Sequence, residues 1–440
     1  MIIEFSVGNY RSFKERVTLS MVAANTNARD PNININNTIK ISDKLTLLTS
    51  AAIYGANASG KSNVVQALAF MRKLVLTSAN ESQTGEPIAV EPFRLSTETE
   101  KEPSFFEIVF IKNNIQYRYG FEVNFSKVIS EWLFSVPIAR EVTLFTREKD
   151  KINPSPKYFK EGKGLDVNTR SNALFLSVVA QLNGEIAQSI LNWFRRIGIV
   201  SGLDDTAYRV FTIRQLFQGK YKDSIIKLVK NLDIDIDGIK GIKLEKTQFT
   251  LPPEMPEEIR ALFIKNLKAG DVFMVKTKHP KLNAEGKPVG SVTFDMDFNE
   301  SHGTQKSFYL AGPIIDTLTS GKVLIVDEME ARLHPILTRE LIRLFNSIDT
   351  NPKRAQLIFT THDTNLLSNK LFRRDQIWFI EKDTFYASHL YSLAEIKVED
   401  IKVRNDASFE DNYLQGRYGA IPFIGKMQTI EQERKPDEDK

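Results

Sequence analysis

Residues Gly55–Ser62, G-A-N-A-S-G-K-S, carry the spacing G-x-x-x-x-G-K-[ST]. In such a loop the glycines let backbone N–H groups wrap a chain of phosphates, Lys61 balances their charge, and Ser62 offers a hydroxyl to magnesium. Much later, Val323–Glu328 (V-L-I-V-D-E) is an apolar run ending in two acids. There Asp327 can hold magnesium and Glu328 can polarise an attacking water. Alone, that pattern also describes any strand that ends at a charged loop; it gains meaning from the phosphate loop. Leu357–Asp363 (L-I-F-T-T-H-D) places His362, one of five histidines, just past another apolar run. Asn299–Lys306 (N-E-S-H-G-T-Q-K) puts a serine hydroxyl, Ser301, and a glycine N–H, Gly303, at a helix start, where a γ-phosphate could be met. A plain helix cap would have the same residues. Asp233–Gly238 (D-I-D-I-D-G) opens like a calcium loop, but the twelfth position is Leu244 and Glu245 falls one residue late. Leu232, Ile234 and Ile236 alternate with the aspartates as in a half-buried strand, so calcium is rejected.

These residues need a frame. The alternating I-I-E-F-S-V and R-V-T-L-S-M-V predict two early strands, with Asp30–Asn37 as a polar loop. Leu45–Tyr54 predicts a buried strand, and a helix from Lys61 follows, with Val64, Val65, Leu68, Ala69 and Met71 at helical spacing. Ser104–Thr146 predicts antiparallel strands, then a basic, turn-rich loop at K-I-N-P-S-P-K. Ser171–Phe217 is periodic as helix, without the sustained heptads of a long coiled coil. From Val292 strands return, V-T-F-D-M-D-F, K-V-L-I-V-D-E, A-Q-L-I-F-T-T-H-D and Q-I-W-F-I-E-K, and are expected to share a core with the first ones. The chain should divide into 1–150, an ATPase lobe with the phosphate loop and antiparallel strands; 151–290, an inserted, mainly helical partner-binding subdomain; 291–425, the second part of the core; and 426–440, a solvated tail.

Composition narrows the class. A 440-residue chain that is 42% hydrophobic can bury a large core. No apolar run reaches the roughly 18 to 20 residues of a membrane helix, and the N-terminus lacks signal-peptide character, so a cytoplasmic protein is expected. The absence of cysteine excludes disulfides, thiolate zinc sites and cysteine nucleophiles. The formal charge of +4 permits a nucleic-acid patch without arguing for one, and residues 211–290 hold 15 Lys or Arg against 10 Asp or Glu.

The order N-Y-R-S-F (Asn9–Phe13), G-A-N-A-S-G-K-S-N, E-S-H-G-T-Q-K, V-L-I-V-D-E-M-E-A-R-L-H-P, F-T-T-H-D and Y-L-Q-G-R-Y-G-A-I-P (Tyr413–Pro422) spans the chain. It resembles the RloA and AbiL group of ABC-type ATPases in bacterial phage defence, whose relatives include the ATPase of PARIS systems and the ATPase half of OLD-family proteins. The resemblance implies an α/β, ABC-type P-loop NTPase fold: a mixed sheet with an antiparallel β lobe and an inserted, mainly helical subdomain. It implies ATP and magnesium as ligands. Nucleotide contacts would come from Arg11, Gly55, Asn57, Gly60, Lys61, Ser62, Asn63, Ser301, Gly303 and Gln305. Ser62 and Asp327 would hold the metal, Glu328 would be catalytic, and His362 would sense the γ-phosphate. Two departures stand out. His302 replaces the usual second glycine of the signature, and His334 lies where SMC proteins carry aspartate. The group further implies head-to-head self-assembly with composite sites and a co-encoded effector of the Toprim or RloB-like kind. The alternative is a RecF- or SMC-like DNA-repair ATPase. A nuclease activity in this chain is not expected, since the sequence ends soon after F-I-E-K, and a transporter subunit is disfavoured by the large insert.

Overall fold

The structure, a computed structural model, describes the chain apart from positions 27, 29, 82, 84, 233–235, 245–271, 399–400, 403–407 and 423–440. The centre of the D-I-D-I-D-G segment and the expected tail therefore lie outside the described residues.

In chain order, β1 (Ile2–Gly8) and β2 (Val17–Ser20) come first, then a short helix α1 (Pro31–Asn36). The expected loop is helical here because Asp30 accepts the Asn32 N–H at 2.9 Å and Pro31 sits in the first turn, where its missing N–H costs nothing. β3 (Thr38–Lys40) pairs with β4 (Thr46–Leu48), and β5 (Ser50–Tyr54) follows. Leu45–Tyr54 is thus two strands, parted at Thr49, whose hydroxyl is tied to Asn346 Oδ1 at 2.6 Å. Helix α2 (Lys61–Thr77) starts directly on the phosphate loop. β6 (Ser104–Lys112), β7 (Ile115–Val123), β8 (Val128–Val136) and β9 (Val142–Glu148) are the expected antiparallel strands. The K-I-N-P segment extends them as β10 (Lys151–Pro154), since Lys149 takes the left-handed conformation of a tight turn.

Helices α3 (Phe175–Gln181) and α4 (Glu185–Arg195) follow, then β11 (Ile197–Ser201), α5 (Thr206–Gln218) and α6 (Lys222–Asn231). The expectation of helical structure over Ser171–Phe217 fails at β11. β12 (Gly238–Leu244), β13 (Val272–Leu282) and β14 (Pro288–Asp295) form a separate antiparallel sheet. V-T-F-D thus belongs to that sheet and not to the core, its partner being the adjacent β13. Helix α7 (His302–Ser320), β15 (Val323–Asp327), α8 (Pro335–Phe345), β16 (Gln356–Thr360), β17 (Ile377–Lys382), β18 (Ser388–Ser392) and α9 (Phe409–Leu414) follow in chain order.

Two large sheets result. One is antiparallel, in the order β10-β9-β8-β7-β6-β1-β2. The other runs β11-β15-β16-β5-β17-β18 and is parallel except for β18. Alternate residues of this second sheet enter two different cores. Ala51, Ile53, Ile325, Ile358 and Ile380 face the antiparallel sheet with α2, α3 and α4. Ala52, Tyr54, Leu324, Val326, Leu357 and Phe379 face α5, α6, α7 and α8. Burial on both faces explains why these strands are continuous apolar runs. Helix α7 contains Pro313, which cannot donate to the Tyr309 carbonyl; the Thr212 hydroxyl of α5 donates there instead.

Candidate functional site

Strands β15, β16 and β5 are neighbours and parallel, so the loops that follow them emerge at one edge of the sheet. These loops begin with Glu328, Thr361 and Gly55. The carboxyl edge of a parallel α/β sheet is where such folds bind ligands.

The phosphate loop is shaped by close backbone approach. A Cβ on Gly55 would sit 2.3 Å from the Ile380 carbonyl oxygen. Gly60 has φ +111°, and a Cβ there would meet Ser388 Oγ at 2.5 Å and Ser12 Oγ at 2.6 Å. The N-Y-R-S turn is thus packed under the loop: Asn63 Nδ2 donates to Ser12 Oγ at 2.7 Å, and the Ser388 N–H to the Ser12 carbonyl at 2.7 Å. Asn9 anchors that turn by donating to the Thr99 and Glu102 carbonyls and accepting from the Phe93 N–H. Arg11 pairs with Glu91 at 3.3 Å. Asn57 is exposed at the loop's tip and Ser62 half-buried in the first turn of α2.

Lys61 is only 5% exposed, and its ammonium donates to the Gly55 and Ala56 carbonyls at 2.8 and 2.9 Å. Burial lowers its pKa to about 8, opposed by Glu328, Glu330 and Asp327. The acids at the end of β15 therefore act on the phosphate-loop lysine. Burial and Lys61 together lower His362, and the same three acids oppose that.

Thr360 organises the acidic turn. Its hydroxyl donates to Asp327 Oδ1 at 2.6 Å and accepts the Glu328 N–H at 2.7 Å. Glu328 has φ +52°, a strained conformation for a non-glycine residue that this bond helps to hold. Glu330, which the sequence reading did not select, accepts the His362 N–H on Oε1 at 2.6 Å, while its Oε2 is buried without a partner. The E-x-E spacing after Asp327 was the available signal for it. Thr360 and Gly202 were also missed, and only the fold brings them to this turn.

Ser301 is the N-cap of α7, accepting the Thr304 N–H at 3.1 Å. A Cβ on Gly303 would lie 3.3 Å from the Arg332 carbonyl, and Gln305 Nε2 donates to the Asp297 and Glu300 carbonyls. The structure thus brings Lys61, Asp327, Glu328 and His362 together. The contacts described for Ser301 and Gln305 lie around their own helix start, Gly303 stands against the Arg332 carbonyl, and His302 is exposed beside them. Among the described residues no helix is long and apolar enough to cross a membrane.

Residues 50–368 match the family described as "AAA domain, putative AbiEii toxin, Type IV TA system". No curated protein matches the sequence. Similar solved structures include an SMC head bound to the C-winged helix domain of ScpA, at 15% identity and TM-score 0.46, covering 90% of this chain and 98% of that one. The SMC head domain from Thermotoga maritima follows at 14% identity and TM-score 0.39, with 90% and 99% covered. An Smc head with an extended coiled coil, bound to the C-terminal domain of ScpA and derived from Pyrococcus furiosus, has 13% identity and TM-score 0.43, with 89% and 96% covered.

Proposed function

This chain belongs to the AAA-domain family matched over residues 50–368, a family of P-loop ATPases, and on that premise we propose that it binds and slowly hydrolyses ATP in composite sites of a homo-oligomer. In this reading it acts as the sensor and regulator of a co-encoded effector, a Toprim or RloB-like nuclease or a toxin, in anti-phage defence. The observation that carries the ATPase chemistry is the convergence of Lys61, the Asp327–Glu328 turn and His362 on one edge of the parallel sheet. The family is named for a toxin system, which supports the defence role.

The donors fit magnesium, because the Ser62 hydroxyl and the Thr360-oriented Asp327 carboxylate are the hard oxygen ligands that ion takes. Bound there, it would neutralise charge on the β- and γ-phosphates. The chain supplies the rest. Backbone N–H groups and the α2 dipole hold phosphate, and Lys61 balances its charge. Asn57 lies in the same loop, Asn63 follows it and bonds to Ser12 beneath it, and Arg11 precedes Ser12 in that turn. Glu328 orients the attacking water, and His362 senses the γ-phosphate. Ser301, Gly303 and Gln305 of a second subunit would close the site.

The test is to weigh the ATP-bound particle purified with the product of the neighbouring gene. A nucleotide-dependent oligomer that retains this product is expected. A particle that stays monomeric at saturating ATP and retains no neighbour overturns the regulatory reading. The exposed lysines of β12 and β13, among them Lys240, Lys278 and Lys281, favour the second reading, a RecF- or SMC-like DNA-binding ATPase. Tight, steeply salt-dependent DNA binding by the chain alone would select it.

A further inference from the structure

One buried lysine ties the start of α7 to the Asp327–Glu328 turn of its own chain. Lys306 is 2% exposed; its ammonium donates to the Gly202 carbonyl at 2.6 Å and to the Tyr208 hydroxyl at 2.9 Å. Burial lowers it to about 8, with Asp205 and Glu330 opposing and Arg332 reinforcing the shift. Its described hydrogen bonds go to no carboxylate, and an ammonium held this way is costly to bury. An apolar side chain of similar length would fill the same space without that cost, so packing alone does not account for the lysine.

What lies beyond Gly202 supplies the account. The Gly202 N–H donates to the Asp327 carbonyl at 2.6 Å, and a Cβ on Gly202 would stand 1.8 Å from the Glu328 carbonyl oxygen. Gly202 is thus pressed against the peptide whose left-handed conformation aims Glu328. At the far end of the same turn, the Arg332 carbonyl abuts Gly303 at the helix start.

We infer that Lys306 is a positioning residue, carrying displacements of the Ser301–Gly303 helix start through Gly202 to the backbone of Glu328. When a phosphate engages Ser301 and Gly303, the first turns of α7 shift, and the ammonium takes the Gly202 carbonyl with them. Hydrolysis in a subunit then depends on whether its own signature segment is engaged. The inference rests on Glu328 being the group that orients water.

The test uses the full chain with ATP and magnesium, reading kcat, KM, ATP affinity and melting temperature. Lys306→Met removes both hydrogen bonds while keeping the length. It should lower kcat about tenfold or more, leave KM and ATP affinity within about twofold, and not lower the melting temperature. Lys306→Arg, which keeps a charged donor, should recover part of kcat. Gly202→Ala should also lower kcat, and the double variant should be no slower than the slower single one, since both break one link. Should Gly202→Ala not fold, Tyr208→Phe, which frees the lysine's second anchor, replaces it in the cycle. Wild-type kcat in Lys306→Met, multiplicative losses, or ATP affinity falling in step with kcat would each overturn the inference. Glu328→Gln is measured in parallel. If it hydrolyses ATP normally, the catalytic reading fails; if it is inactive while Lys306→Met is normal, only the role of Lys306 fails.

Discussion

Lys61 is the residue with the most to lose by substitution, because it puts a buried cation at the phosphate loop and its ammonium is already oriented by two carbonyls. Lys61→Ala should weaken ATP binding about a hundredfold, the scale of losing charge-assisted contacts worth about 1.5 to 3 kcal/mol each. Titration with a fluorescent ATP analogue checks this, and unchanged affinity would remove the phosphate-loop reading. Glu328→Gln spares those contacts, so ATP affinity should hold while turnover falls. Persistent wild-type hydrolysis would place the water-orienting group elsewhere. Lys306 makes a prediction in pH. Its folded-state value of about 8 lies below that of an ordinary lysine, so the folded chain releases this proton first. Between pH 8 and the ordinary lysine range the unfolded chain holds more protons, and this group's contribution to stability rises with pH. Below pH 8 the cost of the buried charge is felt in full. Lys306→Met should therefore melt higher than wild type at pH 7, with the gap narrowing by pH 9.5; an equal gap at both would contradict the burial of a charged amine.

The elements around the site were legible to very different degrees. Strand β5, the glycine loop and α2 could be read because their signal is local: a short apolar run, a fixed spacing, then helical periodicity. Strand β11 could not. I-G-I-V-S lies between two helices and becomes a strand by pairing, from Ile197 with Val323 to Ser201 with Asp327, across more than a hundred residues. Gly202 and Thr360 escaped notice for the same reason, since their partners at the acidic turn are brought by the fold. Glu131 shows how such remote contacts hold the frame. Wholly buried in β8, it accepts the N–H groups of Phe175 at 2.6 Å and Leu176 at 3.0 Å, at the start of α3, and the Tyr119 hydroxyl at 3.0 Å. Burial pushes its acid up and Arg147, 4.0 Å away, pulls it down. Glu131→Ala would leave Arg147 and two helix-start donors poorly matched, costing about 3 to 5 kcal/mol. Denaturant unfolding should show that loss, with ATP affinity of the folded fraction unchanged because α3 only backs α2. An unaltered unfolding midpoint would mean this buried network is dispensable.

At the scale of the whole molecule, the question is where the second half of the ATP site comes from. Lys61 stands at the edge of the core sheet with Asp327, Glu328 and His362, whereas Ser301 caps α7 and is exposed there. A hydroxyl that serves as N-cap can still meet an anion beyond the helix end, where the dipole is positive. Two chains placed face to face would let each Ser301 approach the other's phosphate loop. A Lys61→Ala subunit keeps its signature segment, and a Ser301→Arg subunit keeps its phosphate loop, so each should be inactive alone. Mixed, they form one complete site per pair, with Lys61 from one chain and Ser301 from its neighbour. Random pairing of equal amounts gives such a pair about half the time and leaves one of its two sites intact, so about a quarter of wild-type turnover should return. The measurement is ATPase rate against mixing ratio, with mixed assemblies verified by differential tags. Bell-shaped recovery peaking near equal amounts supports the shared site. No recovery in verified mixed assemblies would leave Ser301 as the helix cap it already is within its own chain.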